Sequence, residues 1–101
     1  MIFAIIGGTA SGKTTLSEAI HDLSPSKVIV LDDVSTARIP QFVRPVRNYL
    51  MSGYIVIINF QTEGRVSLAP VEQFEEQLRH AGWNGRICRM ISFRTTITKL
   101  A

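Results

Sequence analysis

The chain has 101 residues, which bounds it to one domain over 1–101, near the lower end of sizes that hold a core unaided. Hydrophobic residues make up 46% and charged residues 19%, an ordinary globular balance, and no apolar run approaches the ~20 residues of a membrane span. A net charge of +3 is too small to argue for nucleic acid by itself, and the single cysteine, Cys88, excludes an internal disulfide and fits a reducing compartment such as the cytoplasm.

Met1 to Ile6 is an unbroken apolar run. Without a basic leader, and running straight into glycine, it reads as a central parallel strand rather than a signal peptide. The next residues, Gly7-Gly8-Thr9-Ala10-Ser11-Gly12-Lys13-Thr14, fit the pattern G-x-x-x-x-G-K-[ST]. Gly7 and Gly12 let the backbone turn tightly enough for successive N–H groups to face phosphate oxygens. Lys13 brings a mobile positive charge to the β- and γ-phosphates, and the Thr14 hydroxyl suits a Mg²⁺ ion. Thr15 follows among the nucleotide-binding residues. Leu16, Ala19, Ile20 and Leu23 then recur at helical spacing, so the loop is expected to open a helix whose N-terminus adds partial positive charge.

Ser24-Pro25-Ser26 stops that helix, and Lys27 to Leu31 is a second β-branched run closed by Asp32-Asp33. Val34 to Arg38 reads as a loop. Pro40 or Pro45 opens a second helix with Phe42, Val46, Tyr49 and Leu50 inward and Gly53 as its stop. Tyr54 to Ile58 is a third buried run ending in Asn59-Phe60-Gln61, followed by a polar loop from Thr62 to Ala69. Pro70 opens a third helix with Val71, Phe74, Leu78 and Ala81 inward, and Gly82 caps it. Arg86 to Arg94 alternates, the mark of a half-exposed edge strand, and Thr95 to Ala101 is expected to fray as a tail.

The sum is β-α-β-α-β-α-β: an α/β fold in three layers, with a four-stranded parallel sheet and helices on both faces. Such sheets bind ligands beyond the carboxyl ends of their strands, where the glycine-rich loop, Asp32-Asp33 and Asn59 to Gln61 all fall. Val28 to Asp33 resembles a Walker B segment, in which the acid holds Mg²⁺ through water beside Thr14; Asp32 takes that role. Asp33 stands where a second acid polarises attacking water, or else caps a turn. Asn59 and Gln61 carry amides that can sense a γ-phosphate and orient water, or simply satisfy a strand end. Arg44 and Arg47 are candidates for a finger reaching a neighbouring subunit's nucleotide, or are solvated helix residues. His21 and His80 read as surface residues, Trp83 as the cover of the third helix, and Cys88 as packing.

Two resemblances follow from these residues. Gly7 to Thr15 alone resembles the phosphate loop of uridine kinases, which implies a small nucleoside or nucleotide kinase. The layout as a whole resembles a minimal additional-strand P-loop NTPase of the FtsK/HerA type, the class that includes viral packaging and phage assembly ATPases. That second resemblance implies Lys13 and Thr14 on ATP, Asp32 on Mg²⁺, Asp33 as base, Gln61 as sensor, and a homo-oligomer working on double-stranded DNA. It also implies the sheet order 4-1-3-2 counted along the chain. Two features depart from the class: the strand that normally follows the first helix is absent, and aspartate stands where glutamate is commoner. A non-catalytic nucleotide-binding module is the third reading.

Overall fold

The computed structural model describes residues 1–6, 27–61, 67–93 and 96–100. Strand β1 (Ile2–Ile6) is interior to the sheet and buried at every residue but the half-buried Phe3. It pairs in parallel with β3 (Ile55–Phe60) from Ile2 opposite Val56 to Ile5 opposite Asn59. On its other side it pairs in parallel with β4 (Cys88–Phe93). Strand β2 (Val28–Val34) lies outside β3, and β5 (Thr96–Leu100) lies outside β4, running antiparallel to it. The sheet order is β2-β3-β1-β4-β5.

Four parallel strands thus take the expected order, and three expectations are corrected. Residues 96–100 are not a frayed tail. Threonine and isoleucine favour a strand once a neighbour supplies the ladder, and β4 does so here. The sheet therefore has five strands, and β4 is interior rather than an edge. The chain from Val34 to Arg38 is not an open loop: β2 continues through Val34, and Thr36–Arg38 forms a 3₁₀ turn.

That turn leads directly into helix α1 (Ile39–Met51), with Pro40 in its first turn, where a missing N–H costs nothing. Helix α2 (Ala69–His80) starts the same way at Pro70. Both helices end on a glycine with positive φ, Gly53 at 84° and Gly82 at 98°. The following N–H reaches back to the last turn: Tyr54 to the Tyr49 carbonyl at 3.0 Å, Trp83 to that of Leu78 at 2.9 Å. These are Schellman closures, and they turn the chain sharply into the next strand.

One face of the sheet (Ile2, Ala4, Ile6, Val34, Val56, Ile58 and Phe60) packs under Ile39, Val46 and Leu50 of α1 and Val71, Phe74 and Leu78 of α2. Phe74 meets Phe60 edge to face, centroids 5.9 Å apart at 75°. Two residues expected inward are not: Tyr49 is 38% exposed, and Ala81 is the half-buried C-cap of α2. The opposite face gathers Ile5, Val28 and Ile57, with Phe3, Val30, Ile55 and Met90 against them. The steps from β2 to β3 and from β3 to β4 run the same way along the sheet, so right-handed crossovers put α1 and α2 on one face. The step from β1 to β2 runs the other way. The helix expected there, and the glycine-rich loop before it, fall in 7–26, outside the described residues.

Arg89 of β4 points under α2, where Glu75 answers it. One Glu75 oxygen lies 3.4 Å from the Arg89 guanidinium, and the other accepts the Ile87 backbone N–H at 3.1 Å. A charge can therefore occupy an interior strand without being stranded.

Candidate site at the carboxyl rim of the sheet

The rim is shaped by an irregularity in β2. Leu31 stands opposite Ile58 and Val34 opposite Phe60, so Asp32 and Asp33 together face the single residue Asn59. This is a β-bulge, which bends a strand and re-aims its side chains. Asp33 absorbs the extra residue by taking φ 51°, in the left-handed region. Aspartate tolerates that region better than most residues, yet glycine would occupy it without strain. Both carboxylates are exposed at the rim.

Asn59 is 1% exposed, and its Nδ2 donates to Asp32 Oδ1 at 2.5 Å. A buried amide is costly unless bonded, so this contact fixes both partners. It orients the Asp32 carboxylate and takes up one of its oxygens. Gln61 is exposed just beyond β3, and its backbone N–H extends the ladder to the Val34 carbonyl at 2.9 Å.

The order of strands decides what else is near. From β1 the chain crosses to β2, and from β3 it crosses to β4, in opposite directions along the sheet. The neighbours β1 and β3 therefore form the switch point at which open α/β sheets leave a crevice for ligands. Asn59 sits in register with Ile5, one residue before the last of β1, and Gly7 follows that strand directly. Asp32, Asp33, Asn59 and Gln61 thus share one rim with the end of β1. The residues expected to bind nucleotide, 7–15, lie outside the described residues, as does His21.

The donors present suit magnesium: hard carboxylate oxygen at an exposed rim, one oxygen already oriented by an amide. Among the described residues there is no cluster of three or more His, Cys, Asp or Glu placed to enclose a metal. Asp32 would then hold such an ion together with ligands from elsewhere, the Thr14 hydroxyl and water being the expected ones.

Arg44 and Arg47 are not brought to this rim. Helix α1 runs from the carboxyl end of β2 to the amino end of β3, so each turn carries its side chains ~5 Å further away. The half-buried Arg47 gives Nη1 to the Ala81 carbonyl at 3.1 Å and Nη2 to Asn48 Oδ1 at 3.2 Å. It caps the C-terminus of α2, where a cation meets the negative end of the helix dipole. Arg44 is exposed beside a groove on α1. His80 is a surface residue 3.8 Å from Glu76, and Cys88 is half-buried. Trp83 packs against the core at the end of α2 and lies over Gly85, where a Cβ would collide with the indole.

The Asp32–Asn59 pair was within reach of the sequence, since both residues close apolar strands expected to be neighbours. The bulge was not, because Asp-Asp at a strand end fits a regular ladder equally well. Asp33→Gly separates strain from chemistry. Glycine relieves the left-handed backbone but adds freedom to the unfolded chain, so thermal unfolding should show stability unchanged or raised by up to about 1 kcal/mol. A simultaneous fall in turnover would assign the carboxylate a task that the backbone does not share.

No described helix is long and apolar enough to cross a membrane. No protein-family model matches the chain, and no curated protein or solved structure matches it.

Proposed function

We propose that this chain is a Mg²⁺-dependent P-loop ATPase that works as a homo-oligomer on double-stranded DNA, in the cytoplasm or a host's cytoplasm. One observation carries the catalytic half of the reading. Strand β3 lies between β1 and β2, so the buried Asn59 and the carboxylate it orients stand beside the strand that leads into Gly7 to Thr14. A phosphate loop and a metal-binding acid need that proximity to share one nucleotide.

In this reading the backbone of Gly7 to Gly12 cradles phosphate, Lys13 meets the β- and γ-oxygens, and Thr15 is a further nucleotide-binding residue. Thr14 and Asp32 would hold Mg²⁺, which when bound neutralises charge on the transferring phosphate. Asn59 keeps Asp32 in one orientation, the usual work of a residue behind a metal ligand. Asp33, projected by the bulge, takes a proton from water. Gln61 orients that water through its amide. The polymer and the oligomer rest on the resemblance to FtsK/HerA-type ATPases, since the contacts at the rim concern nucleotide alone.

The test is phosphate release from Mg·ATP with and without duplex DNA, with magnesium chelated in the control. Metal-dependent release stimulated by DNA is the expected result. Release indifferent to DNA would remove the motor and leave an ATPase. Binding without release would favour a nucleotide-binding module, and phosphoryl transfer to a nucleoside would favour the kinase.

A further inference from the structure

Away from the rim, the second half of α1 and the turn after it form an open groove of about 540 Å³. Arg44, Pro45, Asn48, Tyr49, Ser52 and Tyr54 line it. We propose that this groove binds single-stranded nucleic acid, one base lying against the Tyr49–Tyr54 pair and an adjacent phosphate meeting Arg44. This inference does not depend on hydrolysis at the carboxyl rim.

Charge is the first argument. From Val34 to Thr62 the chain contains no Asp or Glu, while it carries Arg38, Arg44 and Arg47. Arg47 is engaged with Ala81, and Arg38 lies 5.4 Å from the Phe42 ring centroid. Arg44 is exposed, and among the described residues no carboxylate pairs with it. A helix surface this one-sided attracts a polyanion and repels nothing anionic nearby.

The aromatic pair supplies the second argument. The Tyr49 and Tyr54 rings meet edge to face, centroids 5.3 Å apart at 62°, so Tyr54 braces Tyr49. Tyr49 is 38% exposed although helical spacing alone would turn it inward. A braced, exposed ring beside an arginine is how sequence-tolerant single-strand sites hold bases, by stacking and cation–π contact. Asn48 adds an amide that can both donate to and accept from a base edge. The volume falls within the range that encloses one small ligand, and so suits one nucleotide unit. A duplex hides its base faces and could use only the charge. An acidic peptide could use the charge but has no flat ring for Tyr49.

The experiment titrates the full chain against fluorescein-labelled oligo-dT of about ten nucleotides, read by anisotropy at several salt concentrations. Tyr49→Ala is expected to weaken binding by about ten-fold or more, while Tyr49→Phe, which keeps the ring, binds as the parent does. Arg44→Gln is expected to lower the salt slope by about 0.7, the share of one phosphate contact on a single strand. Both sites are on the surface, and far-UV circular dichroism would show that the variants are folded. Absence of binding would overturn the proposal, as would affinity untouched by Tyr49→Ala. Duplex binding that Tyr49→Ala weakens as much as it weakens oligo-dT binding, or equal binding of a poly-glutamate peptide, would also overturn it, because the groove would then not be reading exposed base faces. Duplex binding indifferent to Tyr49→Ala belongs to another surface and leaves the groove's affinity for oligo-dT to decide.

Discussion

Lys13→Ala and Asp32→Asn are each expected to slow phosphate release from Mg·ATP by about 10²–10³-fold, the usual loss when one preorganised electrostatic partner of a transition state is removed. The two variants fail for different reasons. Lys13→Ala would remove the cation proposed to face the transferring phosphate. Asp32→Asn removes the charge that would hold Mg²⁺ but keeps an oxygen able to accept from Asn59, so the pair at 2.5 Å can persist and the fold should be untouched. Asn59→Ala is the intermediate case. It leaves the Asp32 charge in place but releases its orientation, which for a residue behind a metal ligand typically costs about 10–100-fold in metal affinity or activity. Titrating magnesium distinguishes the two. For Asn59→Ala the half-saturating concentration should rise, with turnover recovering at high metal; for Asp32→Asn, excess metal should not restore the rate. Wild-type turnover in Asp32→Asn would remove Asp32 from the mechanism and leave its bond to Asn59 a structural one.

How far the sequence could be read depended on how strongly each stretch is constrained by its own residues. Strands β1 and β3 are nearly unbroken apolar runs of the kind an interior parallel strand buries on both faces, and the shorter β-branched run of β2 ends in two acids at the sheet edge, so their places in the fold were legible. Prolines at 40 and 70 and glycines at 53 and 82 act locally, and they mark the two described helices as expected. What failed was set by distant partners. Arg89 looks exposed until Glu75 of α2 is placed over it, which turned an interior strand into an apparent edge. Residues 96–100 are too few and too polar to announce a strand without β4 beside them. Tyr49 has the spacing of a core residue, but it is exposed and meets the Tyr54 ring edge to face. At the rim, the residue types were legible from the strand ends. The bulge that re-aims the two acids, and the bond from Asn59 to Asp32, depend on register, which no run of residues states.

Phe74→Ala should have the largest effect on stability. The ring is fully buried between α2 and the sheet, edge-on to Phe60 at the end of the strand that carries Asn59. Removing a buried phenylalanine forfeits its transfer energy and leaves a cavity that rigid neighbours on a sheet cannot close, a loss of about 3–5 kcal/mol. Domains of this size hold about 5–15 kcal/mol in all, so the variant should retain half or less of its stability if the parent lies toward the lower end. Each kilocalorie lowers the melting temperature of such a domain by roughly 4–8 °C, so thermal unfolding should show a fall of at least ~12 °C. Phe74→Leu keeps most of the volume and should lose much less. Nucleotide links this prediction to the site. A ligand that binds only the folded chain, present at about 100 times its dissociation constant, restores about 2.7 kcal/mol. Mg·ATP should therefore raise the melting temperature of the parent and of Phe74→Ala alike, and should fail to do so for Lys13→Ala. A Phe74→Ala chain that melts with the parent would mean that α2 is not held by this contact. If Mg·ATP rescued Lys13→Ala as well as the parent, the nucleotide would be bound somewhere other than the glycine-rich loop.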